Sequence, residues 1–434
     1  MLDDRREKYC IIGAGSSGLT VVKNFKQLAI PADCLEREDQ IGGNWYYGAK
    51  CSSVYRSTHL ISSKAITQYT DFPMPDAFPE YPNHAQAWEY LKSYAQHFGL
   101  SEQIEFNSSV ARLEPSGEFW DVTLKDGPTR RYQGVVIANG HNWDPKWPDY
   151  PGEFSGTVLH SSQYKTPDLL QGKRVLVVGG GNSGCDIAVE SAQRAAKTLH
   201  SVRRSYHYVP KFLFGRPVDQ LGERLLRWRC PLWLRRAVTL MALKIAQGSP
   251  ANYGLPLPDH KLFESHPIIN SQLLYFVGHG DIEIKPQLTA LRGDHVQFAD
   301  GSEESIDVII FATGFRISIP FIDLRHLNWK NGRPDLYMNV FHRERDNLFV
   351  AGLIQPDSGQ WGLVDYQAQL IARYIRELSE NSRTAKRFHQ WKSTDRPDLS
   401  RGIQYVDSAR HRIEVEHFSY RKRLKKLIAQ LERG

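Results

Sequence analysis

The stretch RVLVVGGGNSGCDIAVE, Arg174 to Glu190, decides the fold, because a near copy of it, YCIIGAGSSGLTVV, Tyr9 to Val22, opens the chain. In each copy an apolar run enters a Gly-x-Gly-x-x-Gly turn and a helical pattern follows. The first glycine permits the tight turn. The second lets the backbone approach a pyrophosphate, and the third lets helix and strand pack closely. The helix N-terminus then offers free N–H groups to phosphates. Gly13, Gly15 and Gly18 form the first loop, and Gly179, Gly181 and Gly184 the second.

The two copies differ one strand later. Glu36 closes the strand that follows the first loop, where a carboxylate can accept hydrogen bonds from an adenosine ribose. At the corresponding place after the second loop the chain reads HSVRRSYH, with Arg203 and Arg204 where an acid would stand. A guanidinium grips a ribose phosphate in a fork that a carboxylate would repel. The second site is therefore expected to take NADPH, with Ser201 as a further hydroxyl donor. FAD fits the first site, since FAD beside NADPH makes a hydride path into an electron store.

Outward from these loops, Lys8–Gly13 and Ala32–Glu36 read as strands around a helix Ser16–Leu28. Asn83 is placed to cap a helix running to Phe98. The stretch 139–152 is dense in proline and glycine and reads as a domain crossing. Ile306–Phe311 reads as a strand of the returning FAD domain, and Asp365–Ser379 as a long helix. The expected fold class is α/β, with two dinucleotide-binding Rossmann-like domains. The FAD domain is discontinuous and the NADPH domain is inserted into it. The expected spans are 1–165 for the first FAD part and 166–299 for the NADPH domain, with an irregular insertion around 209–263. The second FAD part, with a basic C-terminal tail, takes 300–434.

Composition narrows the class. The 434 residues are 41% apolar and 24% charged, an ordinary globular balance. No uncharged apolar run approaches the ~18 residues that span a bilayer. The five cysteines form no CxxC pair, so neither a disulfide reductase nor a metal site is indicated, and a reducing, cytoplasmic setting is expected. The formal charge of +7 concentrates in Arg224–Arg236 and Tyr420–Leu427. It is read as phosphate-cofactor binding and a basic tail, not as nucleic-acid binding. Leu225–Ala246 reads either as a basic amphipathic helix on a membrane or as an insertion covering the active site. Pro231 interrupts it and weighs against membrane contact.

Between the glycine loops lies FSGTVLHSSQY, Phe154 to Tyr164. With IGGNW (Ile41–Trp45), DFPMP (Asp71–Pro75) and ATGF (Ala312–Phe315), it makes nearly the whole chain resemble the flavin-containing monooxygenases. These are the class B group that also includes the Baeyer–Villiger enzymes. The family signature falls on Phe154, Gly156, His160 and Tyr164. The resemblance implies FAD contacts at Gly43, Trp45, Thr313 and Gly314. It also implies a cycle in which NADPH reduces the flavin, dioxygen adds as a C4a-hydroperoxide, and a small nucleophilic substrate takes one oxygen atom. Baeyer–Villiger members carry tryptophan at the last signature position, so Tyr164 favours oxygenation of soft nitrogen or sulfur. Ketone oxygenation is the alternative, as is an oxidase or reductase that makes peroxide or serves a protein acceptor. The resemblance admits a homodimer. His160 is read as fixing loop geometry or touching the pyridine nucleotide. Many family members hold an active-site asparagine where this chain has Ile61. His59, Ser62 and Ser63 are the neighbours able to compensate. Gln355, Asp357 and Gln360 are polar candidates in the loop from Gly352 to Gly362.

Overall fold

The computed structural model describes residues 2–228, 230–408 and 411–433. The basic cluster Arg224–Arg236 thus includes one residue, Arg229, outside the described set. The chain divides into two compact units. The first comprises Met1–Ser52, Ser62–His141 and Ile317–Gly434, and the second Ser53–Ile61 and Asn142–Arg316.

The first unit is built on a nine-stranded mixed sheet. Its parallel centre runs Leu348–Val350, Thr129–Ile137, Leu2–Ile12, Ala32–Leu35, Ile104–Glu105. Tyr9–Ile12 is buried throughout, as a parallel strand covered on both faces requires. The strand begins six residues before its expected start at Lys8, at Leu2. Cross-strand charges explain the extension: Asp3 and Asp4 lie opposite Arg130 and Arg131, and Arg5 pairs with Asp33 at 2.6 Å. Helix Ser16–Gln27 packs on helix Trp361–Ser379, which begins four residues before its expected start. The Asn83 cap is a full capping box with Gln86. The expected basic tail is instead folded. Helix His417–Leu431 buries Tyr420, Leu424, Leu427 and Leu431 at helical spacing, and its lysines and arginines occupy the remaining faces.

The second unit holds a five-stranded parallel sheet, ordered Glu283–Lys285, Lys197–Ser201, Arg174–Val178, Val308–Phe311, Thr157–His160. This corrects the expected spans. Phe311 is in register with both Val178 and His160, so Val308–Phe311 belongs to the second sheet and not to the returning FAD domain. The crossings fall at 141/142 and 316/317. The insertion around 209–263 is not irregular: it carries helices Val218–Arg227 and Leu232–Gln247. Pro231 is the N-cap of the latter, which is why it interrupts the apolar run. Among the described residues, no helix is long and apolar enough to cross a membrane.

Candidate functional site: two dinucleotide cradles

The first cradle forms where the strand Leu2–Ile12 ends. Gly13 has φ +103°, a left-handed backbone that a side chain would strain. A Cβ built on Gly18 would lie 1.8 Å from the Gly13 carbonyl oxygen, so only glycine lets this helix meet this turn. Gly15 is the N-cap of the helix and supplies no side-chain cap, leaving first-turn N–H groups for an anion. Gly42 N–H donates to the Ala14 carbonyl at 3.0 Å, laying the Ile41–Trp45 segment along the loop. A Cβ on Gly43 would sit 3.0 Å from the Gly15 Cα, so the two backbones touch. Trp45 packs edge-on against the buried Trp361 at 5.7 Å.

Glu36 is 4% exposed. Its carboxylate accepts from the Ala14 N–H at 2.6 Å and the Glu38 N–H at 3.0 Å. Burial raises its pKa, and those two N–H groups oppose the rise. A buried acceptor fixed at the end of the second strand is what a ribose diol requires. The glycine turn, uncapped helix and Glu36 together fit FAD.

The second cradle repeats the first. Gly179 has φ +122°, and a Cβ on Gly184 would lie 1.9 Å from its carbonyl oxygen. The repeat reaches further than the glycines. A Cβ on Gly13 would meet the Ala138 carbonyl at 2.8 Å, and one on Gly179 would meet the Ala312 carbonyl at 2.4 Å. Each turn is thus backed by the alanine of a short motif, Ala138-Asn139-Gly140 in the first unit and Ala312-Thr313-Gly314 in the second. The matching runs VVIANG and IIFATG carried this signal in the sequence. Thr313 and Gly314 consequently stand in the second unit. The Thr313 hydroxyl donates to the Lys146 carbonyl at 2.6 Å.

Past the strand Lys197–Ser201 the cradles part. Ser201 is 2% exposed, and its hydroxyl donates to the Pro286 carbonyl at 2.7 Å while accepting from Leu288 N–H at 3.2 Å. It ties two strands together and is not free to meet a ribose, contrary to expectation. Arg203 is exposed and has no ion-pair partner among the described residues. Arg204 is held by Asp259 at 2.6 Å. The glycine turn and the free Arg203 fit a nicotinamide dinucleotide with a ribose phosphate.

The signature residues hold the second unit together. Gly156 passes so close to Asp307 that a Cβ would lie 2.5 Å from its carbonyl oxygen, and Phe154 packs against the sheet core. His160 is fully buried, and its Nδ1 accepts from Ser162 N–H at 3.1 Å. The proton therefore sits on Nε2, which donates to the Gly314 carbonyl at 3.1 Å. Burial pulls its pKa down, so the ring stays neutral and pins the Ala312–Phe315 turn. Tyr164, also fully buried, donates to Glu190 at 2.6 Å and packs edge-on against Tyr55. Tyr55 in turn donates to Asp186 at 3.1 Å, fastening residues 53–61 to the helix of the second cradle.

Ile61 is half-buried, and its side chain has no hydrogen-bonding atom. His59 is exposed, with Nδ1 2.8 Å from the Ser57 carbonyl. Ser63 is fully buried at the start of the short helix Lys64–Thr67, and Ser62 is half-buried with its carbonyl accepting from Thr67. The three polar candidates of the later loop are structural. Gln360 donates to the Gly352 and Ile354 carbonyls, Gln355 donates to Glu414, and Asp357 accepts from His417 N–H.

Two cradles of one design, one closed by an acid and one by arginine, define a two-dinucleotide oxidoreductase. A flavin-binding monooxygenase-like family model matches residues 6–431, and the chain belongs to that family. It is 30% identical over 447 residues to flavin-containing monooxygenase 5 of Rattus norvegicus, covering 98% of this chain and 83% of that one. It is 32% identical over 395 residues to dimethylaniline monooxygenase (N-oxide-forming) 2 of Macaca mulatta, covering 86% and 74%. A steroid monooxygenase solved in its oxidised, NADP-bound state superposes with a TM-score of 0.73 at 17% identity over 98% of both chains, which shows the shared fold. The chain is accordingly a FAD-containing, NADPH- and O2-dependent monooxygenase.

Proposed function

We propose that the enzyme transfers one oxygen atom of dioxygen to a soft nitrogen or sulfur of a small molecule. FAD, when bound, would supply the two-electron store between NADPH and dioxygen. The chain's own residues bind and orient. Gly13–Gly18 and Glu36 would hold FAD, while Gly179–Gly184 and Arg203 would hold NADPH. No nucleophile or general base is required of the protein, in keeping with the structural roles of His160 and Tyr164. The reading for nitrogen or sulfur over ketones rests on Tyr164. Its phenol is built into a buried chain with Glu190 and Tyr55, in the place where the Baeyer–Villiger branch has tryptophan. The N-oxide-forming relative points the same way. The five free cysteines support a reducing, cytoplasmic setting.

The test is oxygen transfer from labelled dioxygen with NADPH and three substrates, a tertiary amine, a thioether and a cyclic ketone. One labelled atom in an N-oxide or sulfoxide, with the ketone unchanged, is expected. A labelled ester from the ketone alone, or hydrogen peroxide without any oxygenated product, would overturn the reading. Because Ile61 offers no hydrogen bond, part of the NADPH is expected to yield peroxide. Ile61→Asn should lower that fraction by about two- to ten-fold, the worth of one modest hydrogen bond.

A further inference from the structure

A cavity of about 380 Å³ lies at the edge of the first unit. It is bordered by Leu336, whose strand stands four places across the sheet from the strand that leads into Gly13. No residue of the glycine loop or of Ile41–Trp45 lines it. Four arginines do: Arg333, Arg343, Arg396 and Arg412. Arg343 is neutralised by Asp335 at 2.8 Å. The other three have no carboxylate within ion-pair distance among the described residues. Arg333 donates to the Arg412 carbonyl, and Arg396 to the carbonyls of Ser393 and Asp395 at 2.9 and 3.2 Å. The Arg412 guanidinium lies over Gly332, where a Cβ would fall 1.9 Å from Nη1, so this rotamer exists only because residue 332 is glycine.

Two neutral donors complete the lining. Asn339 is 6% exposed, and its Nδ2 has no partner among the described residues; the hydroxyl of Tyr405 is buried and likewise has none among them. A buried donor left unpaired is destabilising, so both call for an acceptor. Burial pulls the Arg333 guanidinium below the usual arginine range; Asp335 opposes this and Arg343 adds to it. Of the lining acids, Asp335 pairs with Arg343, Asp398 accepts from Ser400 and Gly402, and one oxygen of Glu414 accepts from Gln355 at 2.8 Å. Unpaired guanidinium groups around two unmet donors match the oxygens of a carboxylate or phosphate.

We propose that this cavity binds a small oxyanion, the carboxylate or phosphate of a metabolite, held by Arg333, Arg396 and Arg412 with Asn339 and Tyr405 as neutral donors. The site is separate from both dinucleotide cradles. Glu414 connects it to the loop before helix Trp361–Ser379, since Gln355 and Glu414 are partners in a short parallel bridge.

The experiment titrates the FAD-loaded enzyme by calorimetry with inorganic phosphate in one arm and succinate in the other, at constant ionic strength. Saturable binding tighter than about 10 mM in at least one arm is expected, and which arm binds tells phosphate from carboxylate. Arg396→Gln and Asn339→Leu should each weaken it by about ten-fold or more, and Arg203→Glu, in the second dinucleotide cradle, should not. Flavin absorbance of the variants reports whether the unit still folds, and Arg412→Gln substitutes for one that does not. No saturable binding in either arm, or binding that survives Arg396→Gln and Asn339→Leu but falls with Arg203→Glu, would overturn the proposal.

Discussion

The two glycine loops were built to one pattern and finished differently. Both turn at a glycine with positive φ, both admit a helix glycine against that turn's carbonyl, and both rest on an alanine carbonyl just past the neighbouring parallel strand. What separates them is a few atoms at the end of the following strand. In the first unit a buried carboxylate is held by two backbone N–H groups. In the second the serine at the strand end is committed to Pro286 and Leu288, and an exposed arginine follows. From the comparison we infer that cofactor choice is set outside the phosphate loop, by the charge offered to the ribose at the end of the following strand.

The largest effect expected from breaking the pattern is at the helix glycines. Gly18→Ala forces a methyl group against the Gly13 carbonyl, and overpacking of this kind costs about 1–3 kcal/mol or more. Flavin content measured by absorbance should fall at least several-fold. Gly184→Ala carries the same insult to the other loop. It should keep the flavin and lose its reduction by NADPH, a split that rapid-mixing absorbance under anaerobic conditions would read.

Changing the finish while keeping the pattern should act next. Arg203→Glu replaces the proposed phosphate donor by a repelling charge. Charge-assisted hydrogen bonds are worth about 1.5–3 kcal/mol, so the preference of kcat/KM for NADPH over NADH should fall by about 10- to 100-fold. Arg204→Ala should change it less, because Asp259 already holds that guanidinium.

A third effect sharpens the contrast through pH. His342, in the first unit, is 3% exposed, and its Nδ1 accepts from the N–H groups of Glu344 and Arg345. Burial, aided by Lys392, pulls its pKa from 6.5 down to about 4. The unfolded chain therefore binds a proton that the folded one refuses. The contribution of the neutral ring is whole above pH 6.5 and declines as pH falls toward 4, by up to about 3 kcal/mol. Denaturant melts at stepped pH should show this slope, and His342→Gln should flatten it. The smallest effect belongs to Tyr164→Phe, which removes the bond to Glu190 and should cost about 1 kcal/mol of stability with little change in kcat.

Much of this was legible in the residues. The glycine spacing, Glu36 and the paired arginines stand at fixed offsets from apolar runs, so each could be placed without coordinates. The sheet that owns Val308–Phe311 could not, because a strand buried on both faces reads alike in either sheet. Ser201 misled for a related reason: a hydroxyl at a strand end looks available until its neighbours are known. Lys23 and Lys392 gave no warning either. A lysine is ordinarily read as solvated, yet Lys23 is buried against Asp71 and Asp365, and Lys392 is buried beneath the carbonyls of His342, Arg343 and Arg345. The C-terminal helix hid its apolar stripe among arginines and lysines.

Anaerobic reduction of the bound flavin, followed by absorbance with NADPH and with NADH, tests the account of the two cradles most directly. Rapid bleaching by NADPH, much slower bleaching by NADH, and a narrowing of that gap in Arg203→Glu are the predicted results. A flavin that stays oxidised with NADPH, or one that NADH reduces equally well, would contradict it.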